Sequence, residues 1–240
     1  PMYLSVRSFG SVVRLRDQTE QAVSQMAKSV DLRDTGTGVH SQQLEQTSAR
    51  LAEALGLTPE HVKEVGLAAR AHDLGKIEIS DAILLKKGPL NAEERRAMEE
   101  HPRIGSDMIS GYAAFSSCVR YVRNHHERWD GTGYPDKLKG DAIPLGARII
   151  AVVDAYDAMT ADRPYRGGLG VDEAVKRLKA GIGTQFDPRV CATWIELLIK
   201  DGVYTPEELG QQVQVVPQVA TCSPSPMTVQ AADGDIRRAR

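Results

Sequence analysis

Residues 58–76 read TPEHVKEVGLAARAHDLGK. Thr58 before Pro59 is an N-cap followed by proline at the first helical position, where its missing N–H costs nothing. Val62, Val65 and Ala69 then recur at helical spacing, and His72 continues the same apolar stripe. A helix therefore runs its buried face straight into an imidazole and an adjacent carboxylate, Asp73. Burying a carboxylate without a partner costs several kcal/mol, so such a group is normally paired or bound to a metal.

The same period recurs on either side. Ser41 to Leu55 reads as a helix closed by Gly56 just past its C-terminus. Before it, Asp34–Val39 holds two glycines and two threonines and reads as a turn ending at His40. Val12 to Leu32 reads as a first helix, in which Val12, Leu15, Thr19, Ala22, Met26 and Ser29 step by threes and fours. That short heptad suits a connector or a homodimer seam, and a first helix packed on the core equally well. Downstream of a Lys87-Gly88-Pro89 loop, Asn91 caps a helix with Glu93 and Glu94 in its first turn, ending near His101-Pro102. The next helix carries Phe115, Val119 and Val122, with His126 one turn further along the same face. Gly131, Gly133, Pro135, Gly140 and Pro144 make residues 128–144 an irregular loop. Ala147 to Ala161 is apolar almost all round, which marks a buried central helix, yet it carries Asp154 and Asp157. Shorter helices follow around Asp172–Lys179 and Pro188–Ile199. Periodicity is lost after Pro206, and Thr221–Arg240 reads as a flexible tail. The expected class is all-α: a connector helix or the end of a preceding module over 1–22, a helical domain over 23–203, and a tail over 204–240.

Composition bounds the partners. The 240 residues are 41% hydrophobic and 26% charged, with a net charge of −2. That balance gives no basis for bulk nucleic-acid or anionic-membrane binding, so an anionic ligand must be held by local charge. No apolar run is long enough for a membrane span. Cys118, Cys191 and Cys222 show no paired spacing, which fits a reducing, cytoplasmic setting with thiols as small core or surface residues. Pro1 before Met2 reads either as a piece cut from a longer protein or as a cloning scar.

Three helices place titratable groups where the stripe says core should be: His72-Asp73, His125-His126 and Asp154. One histidine on an apolar face is usually a satisfied core residue, but here five of six histidines gather with aspartates on inward faces. The sixth, His61, falls in the first turn of a helix and is expected at the surface. Lys76, three and four residues beyond Asp73 and His72, turns towards the same cavity and suits a phosphate oxygen. The competing reading is an Asp73–Lys76 surface ion pair, worth little. An imidazole-and-carboxylate set without thiolates excludes a structural zinc knot and suits iron or manganese.

His72-Asp73-Leu74-Gly75-Lys76 resembles the signature of the HD superfamily of metal-dependent phosphohydrolases. His125-His126-Glu127-Arg128-Trp129-Asp130-Gly131-Thr132-Gly133-Tyr134-Pro135 resembles the defining motif of its HD-GYP subfamily. His40-Ser41, Glu100-His101-Pro102, Asp154-Ala155-Tyr156-Asp157-Ala158-Met159-Thr160 and Arg163-Pro164-Tyr165-Arg166 match the remaining blocks in order, from about Val23 to Leu198.

The resemblance implies hydrolysis of cyclic di-GMP to the linear dinucleotide or GMP, by a hydroxide activated between two metals. One metal would take His40, His72, Asp73 and Asp154, and the other His101, His125 and His126, with Asp73 bridging. Iron is favoured, manganese next. Some relatives bind a third metal through a glutamate four residues before the first histidine; Gly36 stands there, so two are expected. Asp73 and Lys76 are the expected catalytic residues, and Asp157 would orient a ligand histidine. Arg163 and Arg166 match substrate-contacting positions, although either could cap the central helix or pair with Asp162. Gly133, Tyr134 and Pro135 would shape the entrance, Tyr134 stacking on a base, or serve as a docking surface for diguanylate cyclase domains. The alternatives are a hydrolase of another cyclic dinucleotide and a silent sensor or docking module. Against silence, every ligand position of the two-metal set is filled.

Overall fold

The computed structural model describes residues 2–34, 36–162 and 167–206, with side chains from residue 13 onward. Arg163, Arg166, Cys222 and nearly all of the expected tail lie outside the described residues. Ten α-helices are present among those described: α1 (Met2–Asp34), α2 (His40–Ala54), α3 (Pro59–Ala71), α4 (Asp81–Leu84), α5 (Ala92–Glu99), α6 (His101–Ser110), α7 (Val119–Asn124), α8 (Leu145–Thr160), α9 (Val171–Gly181) and α10 (Pro188–Lys200). Short 3₁₀ turns lie at Leu74–Glu78, Ala113–Phe115 and Gly140–Ala142. No strand forms among these residues beyond one isolated bridge between Ile182 and Phe186. The class is all-α, as the periodicity implies.

Local chemistry explains the helix starts. Thr58 Oγ1 accepts from the His61 N–H, and Pro59 occupies the first turn of α3. Asn91 Oδ1 accepts from the N–H groups of Glu93 and Glu94, each at 2.9 Å, while Glu94 reaches back to the Asn91 N–H at 2.8 Å. That reciprocal box satisfies donors an exposed helix would otherwise leave to water.

Packing then orders the helices. α2 lies along α3, and α8 rests on both. Ile149, Ile150, Val152 and Val153 of α8 are buried in one core with Leu44, Leu51, Val65 and Val190 of its neighbours. Helix α1 contributes Val23, Ala27 and Val30 to buried positions, whereas Leu15, Ala22 and Ser29 of the expected heptad are exposed. The core face of α1 is therefore offset by one position from that heptad. His61 is exposed and close to the Thr58 hydroxyl, and Cys118 and Cys191 are buried free thiols.

Three boundaries depart from the sequence reading. α3 stops at Ala71, so Asp73 stands at the cap of the 3₁₀ turn that holds Lys76 rather than on a continuing helix. The helix begun at Asn91 ends at Glu99, and His101 starts a separate helix, α6. α7 ends at Asn124, so His125 and His126 stand just past it. No helix among the described residues is long and apolar enough to cross a membrane.

Candidate metal centre

The gathered histidines occupy helix ends. His40 is the first residue of α2, His72 follows α3, His101 opens α6, and His125-His126 follow α7. The final carbonyls of a helix have no intrahelical partner. Three of these histidines fill such carbonyls three residues upstream: His72 Nδ1 to Ala69 O at 2.7 Å, His101 Nδ1 to Met98 O at 2.7 Å, and His125 Nδ1 to Val122 O at 2.6 Å. A carbonyl only accepts, so each Nδ1 must carry the proton. Each Nε2 then points a lone pair into the cluster. His40 is oriented differently, through Nδ1 to Asp157 Oδ2 at 2.7 Å.

The Nε2 atoms of His72, His101 and His125 are buried without a hydrogen-bond partner. An unsatisfied buried polar atom costs about 1–3 kcal/mol. Three in one cluster are better explained as ligands than as tolerated defects. Asp73 lies between them, with Oδ1 3.2 Å from His101 Nε2 and Oδ2 3.1 Å from His72 Nε2. The donor atoms of Asp73, His101, His125 and His126 lie within 4.8 Å of one another, as do those of His40, His72 and Asp73. Asp73 thus belongs to both groups. Asp154, on α8, has Oδ1 3.6 Å from His40 Nε2 and 3.9 Å from His72 Nε2, on the side of the second group. Imidazoles and carboxylates in two groups sharing one carboxylate fit a pair of divalent cations.

Electrostatics divide the imidazoles. Burial drives His125 and His126 well below the ordinary range, and neighbouring imidazoles push the same way. Burial would lower His72 too, but the charge and hydrogen bond of Asp73, with the charge of Asp154, together raise it to about 9. For Asp73 burial works upward, yet His72 and Lys76 hold it well below the carboxylate range. For His40 burial again works downward, and the Asp157 hydrogen bond together with the charges of Asp154 and Asp73 raises the ring.

Lys76 Nζ donates to Asp73 Oδ2 at 2.7 Å and to Asp34 Oδ2 at 2.8 Å. The Asp73–Lys76 pair is real but largely buried, not a solvated surface pair. Asp34 and its neighbour Arg33 escaped the sequence reading, because their partners lie more than forty residues away and leave no local spacing. Tyr134 stacks on His126, ring centroids 5.0 Å apart, rather than standing free. Gly133 crosses the backbone at Glu127 and Arg128, where an added Cβ would sit 2.3 Å from Arg128 N. Buried Glu127 accepts from the N–H groups of Asp136 (2.7 Å) and Leu138 (3.1 Å), so the loop that follows Pro135 is tied down despite lacking regular structure.

Comparison with known proteins bears on this geometry. A family model described as HD domain matches residues 21–190. The cyclic di-GMP phosphodiesterase response regulator RpfG of Xanthomonas campestris pv. campestris is 40% identical over 193 residues, covering 78% of this chain and 50% of that protein. The 3'3'-cGAMP-specific phosphodiesterase 2 of Vibrio cholerae is 33% identical over 199 residues, covering 82% of this chain and 37% of that protein. This chain therefore spans half or less of the length of these curated relatives. Among solved structures, Bd1817, an HDG"Y"P protein from Bdellovibrio bacteriovorus, aligns with a TM-score of 0.57 over 78% of this chain and 64% of that one. At 18% identity, that is a likeness of fold.

Proposed function

The chain belongs to the HD domain family, and from that premise we propose that it is a metal-dependent phosphodiesterase acting on cyclic di-GMP. The observation that carries the reading is Asp73, which presents one carboxylate oxygen to each of two histidine groups. His40, His72, Asp73 and Asp154 would hold one divalent cation, and Asp73, His101, His125 and His126 the other, with iron favoured and manganese next. Such a pair supplies Lewis acidity to the phosphate and brings the pKa of water towards neutrality.

The chain's own residues do the rest. Asp157 fixes the His40 ring, and three backbone carbonyls fix His72, His101 and His125, so little reorganisation is left for the reacting complex. Lys76 keeps an ammonium beside Asp73, where charge builds on phosphoryl oxygens. Tyr134, lying on His126, and the Gly133 crossing shape the approach. Arg163 and Arg166 are proposed to add guanidinium forks for a phosphate or a guanine edge. The names of the curated relatives support a cyclic dinucleotide as substrate and divide between cyclic di-GMP and 3'3'-cGAMP.

The test is hydrolysis of both dinucleotides by anaerobically metal-loaded protein, with products separated chromatographically. Faster turnover of cyclic di-GMP to the linear dinucleotide or GMP is expected. Preference for 3'3'-cGAMP would move the substrate assignment, and metal-loaded protein that cleaves neither would refute the reading.

A further inference from the structure

The proposed chemistry makes no use of Arg33, in the last turn of α1, yet its guanidinium is heavily committed. It donates to the carbonyls of Lys76 (3.1 Å), Ile77 (3.3 Å) and Ile79, and to Asp81 Oδ1 at 2.7 Å. The next residue, Asp34, accepts from Lys76 Nζ. The 3₁₀ turn Leu74–Glu78 needs such support. Its hydrogen-bond geometry is intrinsically poorer than that of an α-helix, and its closing bond runs from the Ile79 N–H to Lys76 O, a carbonyl that Arg33 also meets. Ile77 and Glu78 are exposed, so burial does little to hold this half of the turn. On the other side, Gly75 presses directly on the backbone of α6. The turn is thus held between α6 and the Arg33 fork, and a rigid guanidinium can reach several carbonyls at once where an ammonium cannot.

We infer that Arg33 and Asp34 are positioning residues for Lys76. Arg33 holds the backbone of the turn, and Asp34 holds the ammonium as a second carboxylate beside Asp73. Asp34 is the partner that remains to Lys76 when Asp73 is committed to cations. The inference rests on the phosphodiesterase reading for its effect on rate, but not for the clamp itself. It also makes the C-terminal end of α1 a mechanical neighbour of the site, since Asp31 in the same turn accepts from the Ser41 N–H (2.9 Å) and hydroxyl (2.6 Å), beside His40.

The experiment is a double-mutant cycle with metal content, thermal melting and amide exchange on each sample. In metal-loaded protein, Arg33→Ala and Asp34→Asn are each expected to lower kcat for cyclic di-GMP by about 10- to 100-fold, with metal content unchanged. Arg33→Lys should not restore the rate. In a Lys76→Ala background the same changes should cost nothing further. Amides of residues 74–79 should exchange faster in Arg33→Ala while those of α3 keep their protection. Equal losses with and without Lys76, or full rescue by lysine, would overturn the inference. Asp34→Asn keeps the side chain's shape, so it still decides the matter if Arg33→Ala does not fold. If the parent protein is inactive, the phosphodiesterase reading falls by itself, and unchanged exchange at 74–79 would then overturn the clamp.

Discussion

In His72, His101 and His125 the Nδ1 proton is committed to a carbonyl in the last turn of a helix, so the Nε2 lone pair is what each ring has left to offer. Protons and cations must compete for it. His125 and His126 are driven low and are neutral at pH 7, so they release nothing on ligation. His72, raised to about 9 by Asp73, is protonated at pH 7 and must lose that proton to bind a cation. Apparent metal affinity should therefore rise with pH up to about 9 and flatten above it. Calorimetric titration with Mn²⁺ at pH 7, in buffers of different ionisation enthalpy, should show net proton release; none would contradict the assignment of His72 as a ligand. Asp157 acts one bond further out. Asp157→Ala frees the His40 ring and should weaken one cation by about 10- to 100-fold, leaving the cation of His101, His125 and His126 unaffected. Competition with a metal-sensitive dye resolves the two sites, and equal loss at both would speak against separate groups.

The two groups are brought together where the 3₁₀ turn that Asp73 caps crosses α6 carrying His101. A Cβ on Gly75 would lie 2.0 Å from His101 O and 2.6 Å from Gly105 N, and Gly105 meets the same crossing from the other side. Gly75→Ala must push these backbones apart. It should cost about 1–3 kcal/mol of stability and weaken metal binding at Asp73, read by denaturant unfolding and metal content. Wild-type values for both would show that the crossing is not what sets the site. The apolar stripes that build these elements were legible in the sequence: Val62, Val65 and Ala69 are buried as their spacing requires, and Thr58 and Asn91 cap where they should. The helix ends were less legible, for a physical reason. An imidazole that folds back onto the last-turn carbonyl, as His125 does onto Val122 O, is buried like the apolar stripe before it, so α7 reads as running on through His125 and His126. Likewise Pro102 reads as a stop, but proline is equally at home in a first turn, and here it sits in the first turn of α6. Arg33 carries no signal at all, because its bonds to residues 76–81 span more than forty residues of chain.

The residues of the two groups come from the start of α2, the ends of α3 and α7, the start of α6 and the middle of α8. A cation pair there would tie five segments together and give a ligand role to buried nitrogens that make no hydrogen bond. Loading to about 100-fold above Kd should add about 2.7 kcal/mol to stability. For a chain of this size that corresponds to a rise in Tm of about 5–10 °C, reversed by chelation and read by calorimetry. An unchanged Tm on chelation would mean that the folded protein gains nothing from the ions. The measurement that bears most directly on the shared carboxylate is metal content and cyclic di-GMP turnover on one anaerobically reconstituted sample, for the intact chain and for Asp73→Ala. The expected result is about two cations per chain with turnover in the intact protein, and loss of both cations together with activity in the variant. An Asp73→Ala protein that keeps a full complement of metal and still turns over would contradict it.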